Sequence, residues 1–210
     1  MSATPTVFIV DDDSAMRDSL SFLIGSVGRK VETYASAEEF LDAYDNERPG
    51  CIVLDVRMPG LSGLELMEKL GQDRFAPPAL LITGHGDIPM AVRALKAGAF
   101  DFIEKPFSDQ VLLERIQQAL QQDNADRASE HDRSDIERRA ARLTSREAQV
   151  FELVVDGKPN KVVASDLGLS QKTVEVHRAH VMEKMRAESF ADLVKMAVVI
   201  GVTGPPKSLE

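Results

Sequence analysis

The chain has 210 residues, 43% of them hydrophobic and 28% charged, with one cysteine, no tryptophan and a formal charge of −9. That length admits one or two domains with their own cores. The lone Cys51 excludes an internal disulfide, and no apolar run approaches the roughly 20 residues of a membrane span. The acidity is uneven: residues 1–120 carry 11 basic against 19 acidic side chains, while residues 143–210 balance at 9 and 9. Cys51 sits in an apolar stretch and reads as core filler in a reducing compartment. The opening MSATPTVFIVDDD lacks the basic stretch and long apolar run of a signal peptide. A cytoplasmic protein is expected.

In chain order, residues 1–120 alternate short apolar runs with amphipathic ones. Val7–Val10, Val31–Tyr34, Ile52–Leu54, Ala79–Thr83 and Phe100–Ile103 predict strands. Between them, Ser14–Val27 places Met16, Leu20, Leu23, Ile24 and Val27 near a 3.6-residue period. Ser36 to Glu39 reads as a capping box, Gly63–Leu70 follows the Pro59-Gly60 turn, Asp87 can cap Ile88–Ala97, and Ser108 can cap a helix through Leu120. Five strands with intervening helices predict a parallel sheet covered on both faces, in the flavodoxin-like order 2-1-3-4-5.

Residues 121–142 are almost free of large apolar side chains, which predicts a charged linker, helical where it extends the preceding helix. Residues 143–202 predict four helices and no strand. Thr144 to Glu147 forms a second capping box, Asn160–Leu167 closes on Gly168, Ser170 caps Gln171–Met185, and Ser189 caps Phe190–Ile200. The tail 203–210 predicts disorder. The expected fold class is α/β followed by all-α.

Four pieces far apart in sequence converge on one end of the predicted sheet. Asp11, Asp12 and Asp13 follow VFIV, Asp55 follows CIVL, Thr83 follows LLI, and Lys105 lies in DFIEKPF. Ligand sites of open α/β sheets lie outside the carboxyl ends of the strands. Carboxylate oxygens suit Mg²⁺, and an ammonium and a hydroxyl suit phosphoryl oxygens. Asp12 and Asp55 are the expected Mg²⁺ ligands, with Asp11 acting through water or by anchoring Lys105. Asp13, directly before a helix, reads as its N-cap instead. An aspartate accepts a phosphoryl group only if the added charge is offset, which Mg²⁺ and Lys105 together would do.

The segments VFIVDDD, IVLDVRMPGLSG and LLITGHGDIPMAVRALKAGAFDFIEKPF closely resemble a two-component receiver domain over 1–120, of the FixJ type of response regulator. The resemblance implies that Asp55 is the phosphoacceptor, that Asp11 and Asp12 are the acidic pair, and that Arg57 supplies a backbone carbonyl to Mg²⁺. It also implies that Thr83 and Phe102 form the switch and that the Lys105–Pro106 bond is cis. On phosphorylation, Thr83 would be drawn inward, Phe102 would follow, and a face including Val92 and Lys96 would dimerise. Core packing is the plain alternative for Phe102. Arg57 and His85 flank the phosphoryl position and are candidates for slowing self-dephosphorylation.

The helical tail follows a helix-turn-helix plan. LTSREAQVFELV and GKPNKVVASDLGLSQKTVEVHRAHVMEKM resemble the LuxR-type DNA-binding domain over about 143–200. Lys161, Lys172, Thr173, Arg178 and Lys184 are candidate phosphate contacts, which fix register. Glu175, Val176 and Ala179 are candidates for the major-groove face, where Glu can accept from cytosine N4 and small apolar groups can meet a thymine methyl. Related domains often carry a basic residue at position 175 or 179. His177 reads as a packed or capping residue or as a phosphate contact. Leu153, Val163, Leu167, Val174, Val181, Met185 and Leu193 read as core.

The implied function is a transcription factor switched by phosphorylation of Asp55 from a sensor histidine kinase. Its other partners would be double-stranded DNA, a second copy of itself and RNA polymerase. A haloacid-dehalogenase-like phosphatase would need a general acid two residues after its nucleophile, where Arg57 stands and cannot give up a proton at neutral pH. A pure protein-interaction relay is the third reading, and the TVEVHR helix weighs against it.

Overall fold

The computed structural model describes residues 4–71, 76–84 and 88–202, and the side chains of all of these but residues 88–91. The predicted positions of Asp87, His85 and the tail 203–210 lie outside them. The described residues divide into two compact units, one through Arg127 and one from Ala128.

In the first unit the strands β1 (Thr6–Val10), β2 (Lys30–Tyr34), β3 (Gly50–Asp55), β4 (Ala79–Gly84) and β5 (Asp101–Lys105) form one parallel sheet in the order β2-β1-β3-β4-β5. The expected topology holds. Each predicted strand is present, displaced by no more than two residues at either end. The helices are α1 (Ser14–Ser26), α2 (Ala37–Ala43), α3 (Gly63–Leu70), α4 (Ile88–Lys96) and α5 (Asp109–Ala140).

Strand alternation divides the core in two. Phe8, Val10, Ile52, Leu54 and Leu81 face Phe40 of α2 and Leu64, Leu66, Met67 and Leu70 of α3. Val7, Ile9, Val53, Leu80 and Ile82 face Leu20 and Ile24 of α1 and Leu112, Ile116 and Ala119 of α5. Cys51 belongs to the second layer, and burial pushes its thiol up to about 12, so it is inert filler. Burying each Leu or Ile contributes about 1.5–3 kcal/mol.

The caps that fall on described residues hold with one revision. Asp13 accepts the Ala15 N–H at 2.9 Å and caps α1. Ser36 accepts the Glu39 N–H, but Glu39 reaches past Ser36 to the Ala35 N–H at 2.6 Å, so the box there is only half formed. A full capping box that the sequence reading passed over opens α3 with Ser62 and Glu65.

The segment read as a linker continues α5, which runs 32 residues. Asp123 is buried: its Oδ2 accepts the Gly50 N–H at 2.9 Å and its Oδ1 holds Arg127 Nε at 2.9 Å. Arg127 donates in turn to the carbonyls of Asn46 and Arg48. These bonds fasten the helix to the start of β3.

In the second unit, α6 (Ser145–Val155), α7 (Asn160–Leu167), α8 (Gln171–Met185) and α9 (Phe190–Val199) enclose a small core. Phe151, Val181, Met185, Leu193 and Ala197 form one part, against which Ile136 and Ala140 of α5 pack. Val150, Val154, Val163 and Val174 form the other. Among the described residues no helix is long and apolar enough to cross a membrane.

Candidate functional site

Parallel register brings four strand ends together. Val10 pairs with Leu54, Asp55 with Ile82, and Gly84 with Lys105. Asp11 therefore lies just past β1, beside Asp55 at the end of β3, with Thr83 and Lys105 at the ends of β4 and β5. The Lys105 ammonium stands 2.7 Å from Asp55 Oδ1 and 3.5 Å from Asp11 Oδ2. Asp55 Oδ2 accepts the Arg57 N–H at 2.7 Å, and Asp11 Oδ1 accepts the Asp13 N–H at 2.8 Å. Asp11, Asp55 and Thr83 are buried. The Thr83 hydroxyl donates to the Gly84 carbonyl at 3.2 Å.

The electrostatics follow from this crowding. Burial pushes the Asp11 carboxyl up; the Asp13 N–H and Lys105 only partly offset it, and the Asp55 charge adds to the rise. Burial pulls Lys105 down, but its hydrogen bond to Asp55 and the charges of Asp55 and Asp11 leave it raised overall. Lys105 is thus a firmly held cation between two carboxylates. Such a pair of neighbouring oxygen donors fits a hard divalent cation. Asp12, next to Asp11 in the chain, is exposed at the same strand end, and among the described residues no three acids, histidines or cysteines form a ready metal cluster.

The loop from Val56 to Leu61 that follows Asp55 is tightly closed. Gly63 N–H bonds the Val56 carbonyl at 3.2 Å, and a Cβ on Gly63 would lie 2.3 Å from the Asp55 carbonyl oxygen, so no side chain fits there. Phe102, on edge strand β5, is 37% exposed, which sets aside plain core packing for it. Lys105–Pro106 is cis, as the resemblance implied.

In the helical unit, Ser170 caps α8 through the Thr173 N–H, and the Thr173 hydroxyl pairs with Ser170 Oγ at 2.8 Å. Val174, Val181 and Met185 face inward, while Lys172, Glu175, Val176 and Ala179 form an exposed stripe. Val176 is 48% exposed on this stripe. Lys161, on α7, is also exposed. His177 is half-buried, and its Nδ1 is buried with no hydrogen-bond partner among the described residues.

Arg178 and Lys184 are placed differently from their reading as phosphate contacts. Arg178 Nη1 donates to Asn160 Oδ1 at 2.7 Å, and its guanidinium stacks over the Phe190 ring. Lys184 Nζ lies 2.6 Å from Oε2 of buried Glu147. Glu147 also completes the Thr144 capping box, and His180 Nδ1 stands 3.5 Å from its other oxygen. Lys184 and the Thr144 N–H hold the Glu147 carboxyl down to about 2. The sequence pattern showed Glu147 only as a cap; nothing in it pointed to Lys184. Arg139 was missed altogether: from α5 it donates to the Met185 carbonyl at 3.2 Å, at the end of α8.

An acid-lined sheet end in one unit and a capped, solvent-facing recognition helix in the other define a response regulator with a DNA-binding output. Comparison with known families agrees: residues 7–117 match the response regulator receiver domain, and residues 141–197 match the bacterial regulatory proteins of the luxR family. The chain belongs to this family of DNA-binding response regulators of two-component systems. It is 50% identical to the transcriptional regulatory protein FixJ of Rhizobium meliloti over 93% of this chain and 96% of that one. It is 43% identical to the response regulator TodT of Pseudomonas putida over 90% of this chain and 84% of the relative. Among solved structures, the response regulator StyR is similar over 93% of this chain and 99% of its own, at TM-score 0.82 and 45% identity. Full-length FixJ from B. japonicum is 43% identical, covering 96% of this chain and 100% of that one, at TM-score 0.56. These matches do not favour the phosphatase or relay readings.

Proposed function

We propose that Asp55 accepts a phosphoryl group from a phosphohistidine of a sensor kinase, and that this drives homodimerisation and DNA binding. The observation that carries the reading is the Lys105 ammonium shared by Asp11 and Asp55 at the carboxyl end of the sheet. An Asp55 carboxylate oxygen would form the new O–P bond as the donor's N–P bond breaks, leaving the imidazole to take up a proton. Asp12, Asp55 and the Arg57 carbonyl would hold Mg²⁺, with Asp11 acting indirectly. The ion would supply charge neutralisation at the phosphoryl group. Lys105 would follow the negative charge from carboxylate to phosphoryl oxygen. Thr83 would exchange its Gly84 acceptor for a phosphoryl oxygen, and Phe102, already at the surface, would move inward behind it.

The face that responds includes Val92 and Lys96, both exposed on α4. Lys161, Lys172, Thr173 and His177 are the phosphate-facing set, and Glu175, Val176 and Ala179 enter the major groove. Arg178 and Lys184 support this surface from behind, through Asn160 and Glu147. The protein acts in the cytoplasm as a stoichiometric acceptor, not an enzyme acting on a separate substrate, and RNA polymerase reads the DNA-bound dimer. Arg57 and His85 are proposed to restrict water at the acyl phosphate. An unchanged phosphoryl half-life in Arg57→Asn and His85→Ala would remove that assignment.

The decisive experiment treats wild type and Asp55→Asn with beryllium fluoride and Mg²⁺, then measures oligomeric state and binding to genomic DNA fragments. Dimerisation and tighter specific binding in wild type alone are expected. Identical behaviour of both proteins would show that the acidic site is not the switch.

A further inference from the structure

We infer that Glu38, on α2, is a positioning residue for the loop that follows the phosphoacceptor; this rests on the proposed role of Asp55. Backbone N–H groups along this loop have identifiable acceptors. Val56 N–H bonds the Ile82 carbonyl at 3.1 Å, Arg57 N–H bonds Asp55 Oδ2 at 2.7 Å, and Gly63 N–H returns to the Val56 carbonyl at 3.2 Å. Ser62 N–H bonds Glu65 Oε2 at 2.9 Å. These partners lie in the loop itself, in adjoining α3, or in the neighbouring strand. Leu61 is different: its N–H bonds Glu38 Oε1 at 2.9 Å, across a separation of 23 residues.

The turn beneath the carboxylate constrains the sequence. Gly60 has φ +77°, and a Cβ there would lie 2.9 Å from Glu38 Oε1. The carboxylate therefore lies against bare backbone. Its own backbone N–H and that of Leu61 hold the Glu38 carboxyl below its usual range, so it accepts as an anion. The bond is charge-assisted, and because Glu38 is exposed, solvent screens part of that gain. The bond pins the far end of the loop in which Arg57 orients Asp55 and offers its carbonyl to Mg²⁺. Glu38 touches none of the reacting atoms; it fixes the backbone that does.

The test uses the full chain, as wild type, Glu38→Ala and Glu38→Gln, with acetyl phosphate as phosphoryl donor. Supporting partners of metal sites typically change metal affinity by 10-fold or more. The Mg²⁺ concentration for half-maximal Asp55 phosphorylation should rise about 10-fold in Glu38→Ala. Glu38→Gln keeps an acceptor oxygen and should recover most of the loss. Amide exchange gives a readout independent of phosphorylation: the Leu61 N–H should exchange faster in Glu38→Ala, while Ile52–Leu54 in the sheet stay protected. Faster exchange throughout the sheet would indicate general destabilisation and overturn the assignment. So would unchanged Leu61 exchange and Mg²⁺ dependence in a protein whose wild type is phosphorylated and whose Asp55→Asn variant is not. If wild type takes up no phosphoryl group, the acceptor reading fails first, and this inference falls with it.

Discussion

The two units use their charges in opposite ways. At the carboxyl end of the sheet, Asp11, Asp55 and Lys105 are gathered within ion-pair reach, and the gain is chemical. In the helical unit the cations are dispersed into the scaffold. Lys184 is held by Glu147, Arg178 by Asn160 and Phe190, and Lys158 by Asp166 at 2.9 Å. What remains on the outer stripe of α8 is one lysine beside a glutamate and two small apolar residues. The net charge of zero over 143–210 therefore covers two kinds of cation: some, like Lys158 and Lys184, are paired within the scaffold, and others, like Lys161 and Lys172, are exposed. A single unit with few phosphate contacts binds weakly, and two joined units gain effective concentration.

The largest effect should come from the gathered charges. Asp55→Asn should abolish phosphorylation by small-molecule donors, measured as the loss of a phosphate mass increment. Gly63→Ala attacks the same site through packing. Its Cβ would meet the Asp55 carbonyl at 2.3 Å, so a loss of about 1–3 kcal/mol in denaturant unfolding is expected. A neutral result there would mean the loop is looser than its bonds suggest.

The dispersed charges predict smaller and separable effects. Lys184→Ala leaves buried Glu147 without its ammonium, and should cost about 1–3 kcal/mol of stability. The slope of DNA affinity against salt should stay unchanged. Lys172→Ala should do the reverse, reducing that slope by about 1 with stability unaffected. Equal salt slopes for the two variants would erase the distinction between scaffold and contact cations.

Acid titration sharpens the contrast further. Glu147 in the helical unit and Glu32 in the first are both held down to about 2, the latter by its hydrogen bond to Arg48. A carboxyl depressed on folding adds stability that is complete above its unfolded value near 4.5 and fades as pH falls toward 2. Both units should therefore lose stability across that window. Glu147→Gln should flatten the pH dependence of the helical unit alone, as followed by residue-resolved hydrogen exchange.

Most of the sheet was legible because the signal is local. Apolar runs of four to six residues with acids or turns behind them fix strand ends, and register then brings Asp11, Asp55, Thr83 and Lys105 together. What escaped depends on partners distant in sequence. Glu38 looks like any acid in the first turn of a helix, where it favours the helix dipole in any case. Asp123 and Arg127 sit in a stretch whose composition reads as solvated; their partners are backbone atoms of residues 46–50, which carry no side-chain signature. The Ser36 box failed by one residue, because Glu39 could satisfy the Ala35 N–H equally well. Arg178 and Lys184 were placed by charge type, and charge type does not say which side of a helix a long side chain folds toward.

The bond from Asp123 to Gly50 bears on how the chain can be cut. A fragment ending at residue 120, where the apolar stripe of α5 stops, would keep every large side chain of the first core. It would also strand the Gly50 N–H and the carbonyls of Asn46 and Arg48. Extension through Arg127 restores all three. Trimming from the other direction meets a similar boundary, since Ile136 and Ala140 belong to the core of the helical unit and Arg139 to the end of α8. Between these anchors lie residues 128–134, ahead of Asp135, which pairs with Arg139, and a fusion junction there would leave both sets of anchors on their own sides.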